Sequence, residues 1–199
     1  AAHLCVHANP DLSSRYAPEV HSLLEEASRA LGLIDGPVKI DAVKTSTGML
    51  ALEIDARLHG PMGSLVALPG AGFSPLGALL SLSDPTNSSI RPFVDKKLTT
   101  YSVVMAVYVA RELLEDELNR VLAGMKQIRQ VVRTKGFVED SFVGNNHQVS
   151  GYVHIVTRTQ HEEKAAVREA LQLLMEHFGD DLIAPSDEYS CPMLYDDRS

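Results

Sequence analysis

The first third of the chain combines short runs of period two with one stripe of helical period. Residues 3–8 alternate weakly and predict a strand that ends at Asn9-Pro10-Asp11. A helix follows, with Ser13 or Ser14 as a suitable N-cap and Gly32 as a suitable end. Its apolar positions recur every three or four residues and predict a face that packs on a sheet: Val20, Leu23, Leu24, Ala27 and Leu31.

The stretch from residue 37 to residue 57 predicts a β-hairpin. Polar and apolar residues alternate on both sides of a turn at residues 45–48. Because side chains two apart on a strand share a face, Glu53, Asp55 and Arg57 are expected together, with the apolar residues opposite. A turn centred near Thr47 also places Asp41 opposite Glu53. The apolar positions are Val38, Ile40, Leu50, Leu52 and Ile54.

The rest of the chain alternates between strand and helix patterns. Two short helices are expected near residues 64–68 and 75–82, before a surface loop at residues 84–89. The later pattern predicts a strand at 99–109, a helix at 112–129, strands at 128–134, 137–143 and 148–159, and a helix at 160–178. These elements predict an α+β fold in which an antiparallel β-sheet is flanked by helices. The loop divides it into residues 1–83 and an α+β module, residues 84–199, with an acidic tail.

Composition and charge narrow the class of protein. The 199 residues have a net charge of −8, which argues against binding to nucleic acid or to an anionic membrane surface. No run reaches the roughly 18 apolar residues of a membrane span. Cys5 and Cys191 are read as free thiols in a reducing compartment, with a bridge between them left open. The expected location is the cytoplasm, with an organelle matrix as the alternative.

The hairpin carries the candidate chemistry. Asp41, Glu53 and Asp55 would crowd one patch beside Arg57, and carboxylates this close repel one another unless a cation lies between them. A set of oxygen ligands suits Mg²⁺ or Mn²⁺. The competing interpretation is a solvated acidic strand face, and spacing alone leaves both open.

This stretch resembles the metal-binding core of the ATP-grasp carboxylate–amine ligases. That family has an acidic residue on one late strand and Glu-x-Asn-x-Arg on the next. Here the match is Asp41, then Glu53-Ile54-Asp55-Ala56-Arg57, in which Asp55 replaces the commoner Asn and adds a charge. The preceding helix and the following loop also match, and the resemblance extends over about residues 3–80. It implies the C-terminal half of an ATP-grasp domain followed by a closing module.

The resemblance also implies a reaction and a set of roles. ATP would phosphorylate a small-molecule carboxylate, and an amine would attack the acyl-phosphate to form an amide or peptide bond. Asp41, Glu53 and Asp55 would bind Mg²⁺ or Mn²⁺, and Arg57 would contact the transferred phosphate. The exit loop would line the substrate pocket through His59, Gly60, Met62, Gly63 and Ser64.

The family's front half has no counterpart in this chain. The glycine-rich lid and the nucleotide-binding lysines should precede His3, and the chain opens with Ala1-Ala2 rather than Met. We therefore expect a fragment, a processed chain or a subunit that is not active alone and that requires the missing N-terminal half or another protein chain. A homo-oligomer or a larger complex is left open.

Two alternatives to the ligase stand beside it. The chain could be a catalytically inactive relic of the fold that serves as a structural subunit, or a free-standing small-molecule binding module. Other chemistries find less support, because no Gly-x-Ser-x-Gly elbow, zinc motif or Walker loop is present.

Overall fold

The computed structural model describes residues 5–33, 36–58, 60, 62–84, 98–133 and 149–182. The chain divides into two compact units, one formed by Ala8–Thr99 and the other by Ala1–His7 with Thr100–Ser199. The strands are β1 (Cys5–Ala8), β2 (Lys39–Thr45), β3 (Gly48–Asp55), β4 (Tyr101–Val107), β5 (Ile128–Arg133) and β6 (Gly151–Thr157). The helices are α1 (Pro10–Leu31), α2 (Leu68–Gly70), α3 (Pro75–Ser83), α4 (Glu117–Val121) and α5 (Gln160–Phe178), with a π-helix at Met62–Ala67 and a 3₁₀ turn at Gly179–Asp181.

The larger sheet belongs to the unit that contains the C-terminal part of the chain. Its strand order is β1-β4-β6-β5, and β6 pairs antiparallel with both β4 and β5. Every residue of β4 is buried, as its β-branched and aromatic composition predicted. Helix α5 begins with a capping box between Thr159 and Glu162 and contributes an apolar stripe to the core. The core includes Val103, Met105, Val153, Ile155, Val167, Ala170 and Leu174.

The other unit contains the predicted hairpin. Strands β2 and β3 form a two-stranded antiparallel sheet, and α1 contacts β3. The hairpin, the helix before it and the two short helices after it are therefore confirmed, and the α+β class with antiparallel sheets flanked by helices is confirmed with them. The proposed boundary at residues 83 and 84 stays a prediction.

Helix α1 begins one turn earlier than predicted. Asn9, rather than Ser13 or Ser14, is the N-cap, and its side-chain oxygen accepts hydrogen bonds from the backbone N–H groups of Asp11 and Leu12, both at 3.0 Å. Pro10 occupies the first helical turn, where its missing N–H is not needed. The Asn-Pro pair that predicted the end of a strand is thus also the start of a helix. Gly32 caps the other end with a φ of 68°, as expected.

The long helix predicted at residues 112–129 is wrong. Only α4, five residues long, is helical there. Asp116 adopts a left-handed φ of 57°, and the Glu117 carboxylate accepts the backbone N–H of Leu114, so a local side-chain bond replaces the helical pattern. The strand predicted at 137–143 lies outside the described residues. No helix in the described ranges is both long and apolar enough to cross a membrane.

Candidate functional site

The hairpin brings the predicted acidic residues onto one face. The antiparallel register places Asp41 opposite Glu53, as predicted, and Lys39 opposite Asp55. Because the two pairs are two residues apart on each strand, all four side chains share a face. The hairpin therefore concentrates three carboxylates and one ammonium in a single patch, hereafter the acidic cluster.

Lys39 occupies the centre of the acidic cluster. Its Nζ lies 2.6 Å from Asp41 Oδ2, 3.4 Å from Asp55 Oδ2 and 3.8 Å from Glu53 Oε1. The side chain is only 12% exposed. The hydrogen bond to Asp41, reinforced by the charges of Asp41 and Glu53, raises the pKa of Lys39 above its usual value. Sequence reasoning missed Lys39, although its position two residues before Asp41 already placed it on the same face.

Arg57 contacts the edge of this cluster. Its Nη2 lies 2.8 Å from Asp55 Oδ2, and its Nη1 donates a hydrogen bond to the Leu58 carbonyl at 3.2 Å. A hydrogen bond with Glu53, followed by the nearby Arg57 and Lys39, holds the pKa of Asp55 below its usual range. The Arg57 side chain is 53% exposed, so an anion from solvent can reach it.

A β-bulge lies next to the acidic cluster. Asp41 pairs with Glu53 but the following residue, Ala42, pairs with Ala51, so Leu52 is the extra residue on β3. The simple alternation expected along β3 is interrupted there. Leu50 and Leu52, which were expected on one apolar face opposite the charged residues, are 55% and 65% exposed.

Helix α1 supports the hairpin through one charged side chain of β2. Lys44 Nζ forms an ion pair with Glu19 of α1, and the same ammonium lies 5.9 Å from the centre of the Tyr16 ring. These contacts connect the strand that carries Asp41 to the helix that precedes it. Both partners of the ion pair are more than 40% exposed, so the contact orients the hairpin more than it stabilises it.

The segment predicted as a substrate loop is partly helical. Met62, Gly63 and Ser64 belong to the π-helix that starts at Met62, so the prediction of a loop is wrong for Met62 and Gly63, whereas Ser64 also began the short helix predicted near residues 64–68. Gly63 is buried. Gly60 precedes the helix, and His59 lies outside the described residues. Their role in substrate binding stays a prediction.

The acidic cluster offers oxygen donors to a hard cation, with one obstacle. Carboxylate oxygens are the donors that Mg²⁺ and Mn²⁺ prefer, so the donor chemistry fits. The point on which the three carboxylates converge, however, is taken by the Lys39 ammonium. Among the residues that the structure describes, no group of three His, Cys, Asp or Glu side chains is arranged to hold a metal ion.

A second charged cluster was not anticipated from sequence. Buried Glu117 accepts hydrogen bonds from Arg111 Nη1 at 3.1 Å and Nη2 at 2.6 Å, and from the Leu114 N–H at 2.9 Å. Its Oε1 is also 2.9 Å from His177 Nε2 of α5. The Arg111 hydrogen bonds, followed by those of His177 and Leu114, hold the pKa of Glu117 well below its usual range. This cluster joins the α4 region to the end of α5 and reads as structural.

One buried serine–histidine pair lies in the larger sheet. Ser102 Oγ of β4 is 2.8 Å from His154 Nε2 of β6, and both side chains are buried. Burial, with a smaller effect from Arg129, lowers the pKa of His154. The pair bridges two core strands, which favours a structural role over nucleophilic catalysis.

Comparison with known proteins shows the fold of the chain. No protein-family model matches, and no curated protein has a significantly similar sequence. Among solved structures, an L-amino acid ligase from Bacillus licheniformis matches with a TM-score of 0.60 and 15% identity over 84% of this chain. A phosphoribosylglycinamide synthetase from Anaerococcus prevotii matches with a TM-score of 0.59 and 14% identity over 85% of this chain.

These two neighbours are ATP-grasp ligases, so the chain shares a fold with part of that family. At this level of identity the likeness shows the fold alone. The chain spans 44% of the length of each neighbour.

Proposed function

We propose that this chain is the C-terminal part of an ATP-dependent carboxylate–amine ligase that works through an acyl-phosphate. The observation that carries the proposal is the acidic cluster with Arg57 beside it, on a hairpin of a chain whose fold neighbours are two ligases. The chain spans less than half of those ligases. Nucleotide binding and turnover are therefore assigned to a whole that includes a front half, in the same polypeptide or a second one.

In this proposal Asp41, Glu53 and Asp55 hold Mg²⁺ or Mn²⁺. When bound, the metal supplies charge neutralisation for the phosphates of ATP and orients the phosphoryl group for transfer. The contact with Glu53 and the nearby Arg57 and Lys39 lower the pKa of Asp55, so Asp55 is ionised at neutral pH and offers carboxylate oxygens to a cation. Glu53 is 55% exposed and Asp41 44% exposed, which leaves both carboxylates accessible to a cation from solvent.

Arg57 is assigned to the transferred phosphate or to the acyl-phosphate. Its guanidinium stays charged at every accessible pH and presents a fork of N–H donors that matches a phosphate. One nitrogen holds Asp55, and the exposed half of the group can hold the anion. His59, Gly60, Met62, Gly63 and Ser64 are assigned to the binding of the carboxylate and amine substrates, because they follow Arg57 directly in the chain.

The test uses the protein isolated from its source with an antibody against this chain, so that any front half remains attached. ADP and phosphate release would be measured with a panel of small carboxylates and amines, and amide products would be identified by mass spectrometry. We expect release that requires Mg²⁺ and both substrates, and its loss in Asp55→Ala and Arg57→Ala. Absence of ATP binding and of product across the panel, with the native assembly intact, would contradict the proposal.

One observation favours a second candidate, a structural relic of the fold. The Lys39 ammonium and Arg57 already offset two of the three negative charges of the acidic cluster, so the hairpin holds its carboxylates together without a metal. In such a relic the three carboxylates would form ion pairs with Lys39 and would bind no metal. Calorimetric titration of Mg²⁺ into the wild-type chain and the Glu53→Ala, Asp55→Ala double variant separates the two. Metal heat that only the wild type shows supports the ligase, and none in either supports the relic.

A further inference from the structure

The side chain of Lys39 contacts three carboxylates at once through its ammonium and is largely buried. Its ammonium is within 3.8 Å of one oxygen from each of Asp41, Glu53 and Asp55, and its side chain is 12% exposed. Lys44 on the same strand, for comparison, is 43% exposed and pairs with a single carboxylate. Lys39 is therefore bound by the same three groups that the proposed function assigns to a metal.

The Lys39 ammonium and a divalent cation cannot both lie at the point where the three carboxylates meet. Charges of the same sign about 4 Å apart repel by several kcal/mol in a partly buried site. Without any cation the three carboxylates repel one another in the same way. Of these carboxylates Arg57 contacts only Asp55, at the edge of the cluster, whereas Lys39 occupies the point where the three meet, so a metal can bind at that point only if the Lys39 ammonium leaves it. The stem of lysine has four methylene groups and can carry its ammonium away without movement of the backbone.

We propose that Lys39 is the resident counter-cation of the acidic cluster and that a divalent metal binds by displacing its ammonium. The inference rests on the proposed function, because it takes Asp41, Glu53 and Asp55 as the metal ligands. Lys39 is then a positioning residue: it keeps the three carboxylates together when no metal is bound, and it lowers the affinity of the cluster for the metal.

The first experiment compares Mn²⁺ affinity in three full-length chains by electron paramagnetic resonance of free Mn²⁺. Lys39→Met removes the charge and keeps most of the apolar stem, whereas Lys39→Arg keeps the charge. We expect Lys39→Met to bind Mn²⁺ at least roughly tenfold more tightly than the wild type, and Lys39→Arg to show no gain. Far-UV circular dichroism establishes that each variant is folded.

The second experiment needs no substitution. The wild-type chain is treated with an amine-reactive acylating reagent, with and without about 10 mM Mg²⁺, a concentration that would fill a weak site. The labelling of each lysine is measured by mass spectrometry. We expect Mg²⁺ to raise the labelling of Lys39 several-fold and to leave Lys44, on the same strand, unchanged. Calcium at equal ionic strength tests the selectivity for the smaller ion.

The outcomes separate this inference from the proposed function. Metal binding by the wild type with no gain in Lys39→Met and no change in Lys39 labelling overturns the displacement and leaves the ligase proposal intact. Binding by Lys39→Met alone supports Lys39 as the counter-cation but overturns its displacement by a metal, and it contradicts the ligase proposal for the natural chain, because the ammonium then closes the site permanently. Binding by neither protein overturns both.

Discussion

Replacing Glu117 with Gln should destabilise the unit that contains the larger sheet. The carboxylate accepts four hydrogen bonds: two from Arg111, one from Leu114 N–H and one from His177. The amide of Gln accepts at one oxygen only, so about half of these bonds are lost, and charge-assisted bonds contribute about 1.5–3 kcal/mol each. Arg111 and His177 are 37% and 44% exposed and regain water, so we expect a net loss of about 2 kcal/mol.

The assay is urea denaturation followed by far-UV circular dichroism, with Glu169→Gln as the control. Glu169 is an exposed residue of α5, so its neutralisation should change the free energy of unfolding by no more than about 0.5 kcal/mol. Equal, small effects of the two substitutions would refute the reasoning, because they would mean that the Glu117 contacts contribute no more than a surface charge.

The pH dependence of the same pair of proteins gives a second check. The pKa of Glu117 is lowered in the folded chain, so the unfolded chain binds more protons in acid. The contribution of Glu117 is therefore complete above its unfolded pKa of about 4.3 and declines as the pH falls below that value. The gap between the wild type and Glu117→Gln should be constant at neutral pH and narrow progressively below about pH 4.3. A gap that widens in acid would contradict the sign.

Three further outcomes follow from other described contacts. Lowering the pH from about 7.5 to 5.5 should reduce the free energy of unfolding. Burial and Arg129 lower the pKa of His154 in the folded chain, whereas an unfolded histidine gains its proton below about pH 6.5. In urea denaturation, His154→Gln should make this loss smaller. Thr159→Ala should cost about 1 kcal/mol through the lost cap of α5, and Thr159→Ser should retain most of it. Gly72→Ala should lower the melting temperature, since its φ is +95° and the new Cβ would lie 2.7 Å from Thr99 Oγ1; adding Thr99→Ala should recover only the part due to that clash.

The spacing of hydrophobic residues predicted correctly those helices and strands in which the local sequence and the packing in the fold favour the same structure. Helix α5 was predicted because its apolar stripe and the Gly179 stop indicate the same helix, and the Thr159 cap found in the structure agrees with both. Strand β4 was predicted because its composition suits a strand buried on both faces. The predicted pair of Asp41 and Glu53 forms through the bulge, because the register at the turn, with Thr45 opposite Gly48, would by itself place Asp41 opposite Leu52.

The failures occurred where one side chain decided the local structure. The Glu117 carboxylate accepts hydrogen bonds from the Leu114 N–H and from Arg111 at a point where the apolar residues are still spaced as in a helix. The spacing of apolar residues carries no information about such side-chain bonds. The bulge at Leu52 cannot be read from alternation, because it inserts a residue without altering the composition of the strand. The spacing of the sequence does place Lys39 in the acidic cluster, because it lies two residues before Asp41 and therefore on the same face of β2.

The hairpin of β2 and β3 has a kinetic consequence. Within the described part of the chain it is a ribbon of two strands, and a ribbon of that kind is only marginally stable on its own. Its amide protons should therefore exchange with solvent through brief local openings, well before those of β4 and β6. Each opening separates Asp41 from Glu53, so the side chains of the acidic cluster are no longer held together. A bound divalent cation would tie the strands together, so the exchange lifetime of the hairpin amides would report on the lifetime of the site itself.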